Sequence, residues 1–189
     1  MADQPAIPQD VTPEQFFEQF MPLGFQQQVA EGVVPGAINI QYTLTGDGGG
    51  SWLIEIADSK MNVRKGTGDA SIAYSVTASQ WREAMSGQHG SSPALIVPPQ
   101  RPGRPDQSGR AMQLKGTMAL ELARDGAEPF KVETTFGAAA TPRTVMKLRQ
   151  QDYLDMQTGK LNGQEAFMTG KMKVEGDMGF LMQIAALVG

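Results

Sequence analysis

The sequence predicts an α+β fold in which mostly antiparallel strands alternate with short helices. Three observations carry that expectation. Apolar residues recur at every second position from Ile38 to Leu44 and again from Trp52 to Ile56, with a glycine-rich turn between them. Capping signatures open short helices at Thr12 and Ser79. The same order of strand, turn, strand and helix begins again after a proline-rich stretch.

Taken in order, Thr12-Pro13-Glu14-Gln15 supplies an N-cap, a first-turn proline and a capping-box glutamine. Phe16, Phe17 and Phe20 then lie at helical spacing, and Pro22 with Gly24 should end or bend that helix before Phe25 and Val29. Ile38, Ile40, Tyr42 and Leu44 read as a strand, Gly46-Asp47-Gly48-Gly49-Gly50 as a turn, and Trp52, Ile54 and Ile56 as its partner. Strands at Met61–Lys65 and Ser71–Thr77 complete an expected four-stranded meander. Ser79 then caps a short helix bearing Trp81, Ala84 and Met85, closed by Gly87.

Residues 88–110 read as a linker between a first half, 12–87, and a second half, 111–189, of one enlarged domain spanning 1–189. Pro93, Pro98, Pro99, Pro102 and Pro105 punctuate it, and Pro99-Gln100-Arg101-Pro102 suits a polyproline surface connection better than a PxxP ligand. Beyond it, Gly116-TMALELAR parallels Gly36-AINIQYTL. The block at 140–159 aligns without gaps on 68–87, matching Tyr74 with Met146, Val76 with Leu148, Trp81 with Tyr153 and Gly87 with Gly159. The second copy is shorter, so one hairpin strand should be reduced or absent from it.

Composition removes whole classes of chemistry. The chain has no cysteine, which excludes thiol nucleophiles, thiolate metal sites and disulfides, and its single histidine, His89, cannot form a two-imidazole metal centre. A net charge of −4 argues against a nucleic-acid surface. No phosphate cradle, nucleophile elbow or paired-carboxylate motif stands out, so no catalytic residue, metal or cofactor is expected. Asp152, Asp155 and Glu165 are the acids an enzyme reading would use, yet their places near helix starts are explained by capping and the helix dipole.

Apolar, adaptable surface is what remains. Twelve methionines exceed the usual share and suit irregular cores or tolerant apolar sites. The tail, Asp177-MGFLMQIAALVG, has an N-cap acid and is apolar nearly all round, but is too short to span a bilayer. It must bury its faces in protein, in a partner or against a ligand. Neither a signal or transit peptide at MADQPAIPQD nor a peroxisomal address at the C-terminus is visible, so a cytoplasmic location is expected.

The segment TVMKLRQQDYLDMQTGKLNGQEAFMTGKMKVEGDMGFLMQIAAL at 144–187 resembles the sterol carrier protein type 2 family. The resemblance is carried by Tyr153, Gly159-Lys160, Ala166-Phe167, Gly170-Lys171, Met172-Lys173-Val174 and Gly176-Asp177 in that order. It implies a mostly antiparallel sheet covered by helices, with an apolar tunnel that accepts fatty acyl chains, acyl-CoA, sterols or isoprenoid-like lipids. Usual family domains have about two-thirds of this length, so the chain is read as an internally duplicated, fused domain. The expected function is non-catalytic carriage of a hydrophobic small molecule, with Trp81, Met85, Met156, Phe167, Phe180, Leu181 and Ile184 lining the cavity, although each also suits a plain core position. Two alternatives stay open: presentation of an isoprenoid or polyketide intermediate to enzymes, with a protein partner docking on residues 91–108, and a cyclase or isomerase. The oligomeric state is left open.

Overall fold

The computed structural model describes residues 7–32, 36–96 and 107–188, the last by its backbone only. The expected capping box forms at Thr12, whose hydroxyl accepts from the Gln15 amide while the Gln15 side chain accepts from the Thr12 amide. α1 (Pro13–Gln15) runs into a π-helical turn at Phe16–Phe20 and on into α2 (Met21–Ala30). The helix therefore passes through Pro22 instead of ending there. The wide turn advances the hydrogen-bond register, with the Met21 amide donating to the Phe16 carbonyl, and Pro22 sits in the first turn after it, where a missing donor is tolerated.

Eight strands form one sheet: β1 (Ile38–Thr45), β2 (Gly50–Ala57), β3 (Lys60–Lys65), β4 (Ile72–Thr77), β5 (Gly116–Arg124), β6 (Ala127–Phe136), β7 (Arg143–Arg149) and β8 (Met172–Gly176). Their order is β3-β2-β1-β4-β6-β5-β7-β8. Four consecutive strands do not make the expected meander, because β4 crosses back to pair in parallel with β1, Tyr42 beside Tyr74 and Leu44 beside Val76. The charges explain the choice. β3 carries Lys60, Arg64 and Lys65, which suit a sheet edge, so the more apolar β4 takes the inner place. Gln41 holds the crossover down: its amide nitrogen lies 3.0 Å from the Trp52 carbonyl and 3.1 Å from that of Gly66, and its oxygen accepts from the Gly68 amide.

The second half repeats this arrangement. β5 and β6 form a hairpin, β7 returns parallel to β5, and α5 (Gln150–Gln157) follows it as α3 (Ala78–Ser86) follows β4. Gly87 and Gly159 close the two helices at φ 73° and 76°. Leu122 lies beside Leu148 as Leu44 lies beside Val76. The glycine-led match of the first strands is therefore two residues out of step, a slip that preserves the face. The second half has no strand equivalent to β3; β4 fills that place beside β6, with Ile72 opposite Phe136, and this pairing joins the halves into one sheet. The stretch expected to be a surface linker is in part internal, since Leu95 and Ile96 are only 3% and 4% exposed. The PxxP segment and its arginines lie outside the described residues. Residues Ser108–Ala111 form α4, a short helix that leads into β5.

Helices cover one face. Even-numbered strand positions, among them Tyr42, Trp52, Ile54, Val76, Leu120, Leu122 and Phe130, point into the main core with α3, the Phe16–Phe20 turn and α5. The opposite face carries a ladder of charges, including Lys147 with Glu175 at 2.8 Å and Arg143 with Glu133 at 2.7 Å. The ladder is solvated, so individual pairs contribute little to stability. Among the described residues, no helix is long and apolar enough to cross a membrane.

Candidate ligand-binding site

The covered face holds two apolar clusters. The larger lies under the N-terminal helices, α3 and α5. The smaller gathers Phe180 and Ile184 of α7 (Met178–Val188) with Ile72, Ala111, Leu114 and Phe136. The α7 N-cap is Asp177, whose side chain accepts from the Phe180 amide at 2.7 Å. The Phe180 ring meets Phe136 edge-on at 6.1 Å.

The seven sequence-derived candidates divide between these clusters. Trp81 and Met85 are buried in the larger one, and Met156 of α5 packs against it half-buried. Phe180 and Ile184 belong to the smaller one, with Leu181 half-buried beside them on α7. Phe167, on α6 (Gly163–Met168), is 48% exposed because its neighbour Ala166 takes the inward position. The structure thus brings together three candidates in one cluster and two in another, and places Phe167 on the solvent side.

A run of aromatic rings crosses the larger cluster. Trp81 meets Phe16 at 5.7 Å, Phe16 meets Phe17 at 5.2 Å, Phe17 meets Tyr42 at 5.3 Å, and Tyr42 stacks on Tyr74 at 5.0 Å. Tyr74 touches both clusters and so marks the seam between them. Burial pushes the Tyr74 hydroxyl up to about 12, with a smaller contribution from nearby Tyr153, and pushes Tyr42 well above the usual phenol range, with Tyr74 adding to it. The Trp81 indole nitrogen is buried, and among the described residues it has no hydrogen-bond partner. Sequence reasoning read Tyr42 and Tyr74 as strand positions, and nothing in their spacing signalled that the rings would stack.

Apolar surface also faces outward. On α7, Met178 and Met182 are 44% and 66% exposed, and on α6 Met168 is 76% exposed. The uncovered sheet face has two grooves of about 310 and 350 Å³, lined by Glu121, Lys131, Arg143, Lys147 and Lys173 among others. These lie across the sheet from the apolar clusters. The acids of the enzyme reading are engaged structurally: Asp152 pairs with Lys171 at 3.2 Å, Asp155 accepts from Gln151 at 3.0 Å, and Glu165 is the residue whose amide Asn162 caps. No group of three or more metal-ligating side chains occurs among the described residues.

Residues 100–189 match the family model described as the SCP-2 sterol transfer family. That match covers just under half of the chain. It contains β5 to β8, α5, α6 and α7, and the family is one of sterol and lipid binding and transfer. Two curated proteins are similar over shorter stretches. The peroxisomal multifunctional enzyme A of Dictyostelium discoideum is 42% identical over 53 residues, 28% of this chain and 12% of that protein. The hydroxysteroid dehydrogenase-like protein 2 of Xenopus tropicalis is 40% identical over 45 residues, 24% of this chain and 11% of that protein. The chain therefore spans about an eighth or less of the length of these relatives. Among solved structures, the sterol carrier protein domain 2 of Helicoverpa armigera aligns at 23% identity and a TM-score of 0.36, covering 43% of this chain and 72% of that one. A double mutant of the sec-alkyl sulfatase PisA1 aligns at 12% identity and a TM-score of 0.27, covering 95% of this chain and 16% of that one.

Proposed function

We propose that the protein binds and carries a hydrophobic small molecule, such as a fatty acid, acyl-CoA, sterol or isoprenoid-like lipid, between its helices and sheet, without chemistry. The observation that carries this reading is α7. It docks through Phe180 and Ile184 on a small cluster of its own, beside a larger core lined with aromatic rings, in the part of the chain that matches a sterol transfer family. A helix held by so few buried residues can shift to admit a guest at modest cost. The carrier is a single enlarged domain of residues 1–189, because the sheet is continuous through the β4–β6 pairing. Trp81, Met85, Met156, Phe180, Leu181 and Ile184 contact the ligand, with Phe167 at the mouth.

The energetics suffice. Burying about fourteen methylenes at about 0.8 kcal/mol each gains about 11 kcal/mol. Association removes at least about 4 kcal/mol, which leaves a dissociation constant on the order of 10 µM. The full chain, stripped of lipid and titrated with a fluorescent fatty acid, should saturate at one site, and native mass spectrometry of unstripped protein should find a co-purified hydrophobic species. Folded protein that shows no saturable binding of fatty acids, sterols or isoprenoids overturns the carrier reading.

A further inference from the structure

A short seam joins the two halves of the sheet. Among the described residues, the ladder between β4 and β6 runs only from the Ile72–Phe136 pair to the Ser75–Glu133 pair, although β4 continues to Thr77 and β6 starts at Ala127. Beyond Ser75, β4 stays paired with β1 as far as Thr77 beside Thr45, and β6 stays paired with β5. The sheet therefore forks, each arm keeping to its own half. The groove of about 310 Å³ on the uncovered face lies in that fork, with Ser75, Val76 and Thr77 on one side and Lys131, Val132 and Glu133 on the other.

One side chain spans the fork. Gln80 of α3, half-buried, donates from its amide nitrogen to the Pro129 carbonyl at 2.8 Å and accepts from the Lys131 amide at 3.1 Å. It takes the place that a peptide group of a neighbouring strand would fill, so β6 keeps its hydrogen bonds where β4 has left it. Three residues further along α3, Glu83 pairs with Arg124 of β5. At these points α3 holds the second half by side chains, whose hydrogen bonds exchange for water at modest net cost.

Beneath the fork, the main core is a single cluster drawn from both halves, with Val76 and Trp81 from the first and Leu120, Leu122 and Phe130 from the second. Protein interiors are close-packed and make room by moving whole elements, not by compression. Parting the two arms widens this core along the line of the fork. It releases the Gln80 hydrogen bonds and strains the Arg124–Glu83 pair, while each half keeps its own ladders.

Resting on the carrier reading above, we propose that the β4–β6 seam is a hinge that opens to seat the ligand in the main core, and that Gln80 is the latch that holds it closed. Contacts made only with the widened core supply the difference in free energy between the two states. Removing the latch lowers the cost of opening, so it weakens the fold and tightens the ligand together.

The test uses the full chain freed of lipid and titrated with a fluorescent fatty acid. Gln80→Leu should bind it at least about fivefold more tightly than the parent, and should unfold at lower urea. Gln41→Leu, which weakens the fold away from the seam, should bind as the parent does. In the parent, hydrogen exchange read by nuclear magnetic resonance should be at least about tenfold faster at the Lys131 amide with ligand bound than without. Circular dichroism checks that the variants are folded, and the Lys131 measurement decides without them. Unchanged or weaker binding by Gln80→Leu, equal tightening by Gln41→Leu, or a Lys131 amide that ligand leaves equally protected overturns the hinge while leaving the carrier reading intact. Absence of saturable binding by the parent overturns both.

Discussion

Phe180→Ala tests whether α7 is a separately docked element. The Phe180 ring is 1% exposed and packs edge-on against Phe136, while the backbone of Gly116 approaches so closely that a β-carbon there would lie 2.8 Å from the ring. Truncating a buried phenylalanine costs about 3–5 kcal/mol, of which the aromatic pair accounts for about 0.5–1.5. The N-cap survives, because the Phe180 amide that donates to Asp177 is a main-chain group. Ile184, with the half-buried Leu187, must then hold a helix too short to persist in water by itself. Hydrogen exchange read by mass spectrometry should show protection of the α7 amides falling by about two to three orders of magnitude. Both tryptophans, Trp52 and Trp81, lie in the larger cluster, so urea unfolding followed by their fluorescence should shift much less. Unchanged α7 protection refutes the reasoning. So does a fluorescence midpoint that falls in step with it, which would make the two clusters one cooperative unit.

Three further outcomes follow from the same packing. Arg124 of β5, with a side chain 2% exposed, pairs with Glu83 of α3 and so ties the halves together; Glu83→Gln should cost about 3 kcal/mol in urea unfolding, and adding Arg124→Met should recover part of that loss. Gln41→Leu strips partners from the Trp52 and Gly66 carbonyls and the Gly68 amide, and should cost about 2–4 kcal/mol and raise hydrogen exchange across the β3–β4 connection. With its hydroxyl held up at about 12, Tyr74 stays protonated in the folded chain where the unfolded chain ionises above about 10, so its contribution is complete below pH 10 and is lost as pH rises toward 12. Unfolding free energies across that range should fall by about 2–3 kcal/mol more in the parent than in Tyr74→Phe, and equal slopes would contradict the assignment.

Much of the local structure was legible in the residues. The capping box at Thr12, the left-handed closures at Gly87 and Gly159 and the Asp177 cap are each written within a few positions of where they act. The likeness between Val76, beside Leu44, and Leu148, beside Leu122, is one of strand register. Half of the candidate site was not legible. Trp81 and Phe180 are both fully buried, but nothing in their spacing shows that they belong to different clusters. Phe167 reads as an inward aromatic until Ala166 is seen to hold the inward position. Tyr42 and Tyr74 lie 32 positions apart, and only the parallel crossover stacks them.

Alternation, caps and turns belonged to the sequence by itself, because each depends on backbone geometry over a few bonds, and so did the exclusion of thiol and two-histidine chemistry. The partner of β4, the joining of two halves through β4 and β6, the division of the apolar face and the stacking of Tyr42 on Tyr74 belonged to the tertiary structure. Strand pairing is a competition among edges distant along the chain, settled by which strand bears charge to water and which apolar faces can be covered together.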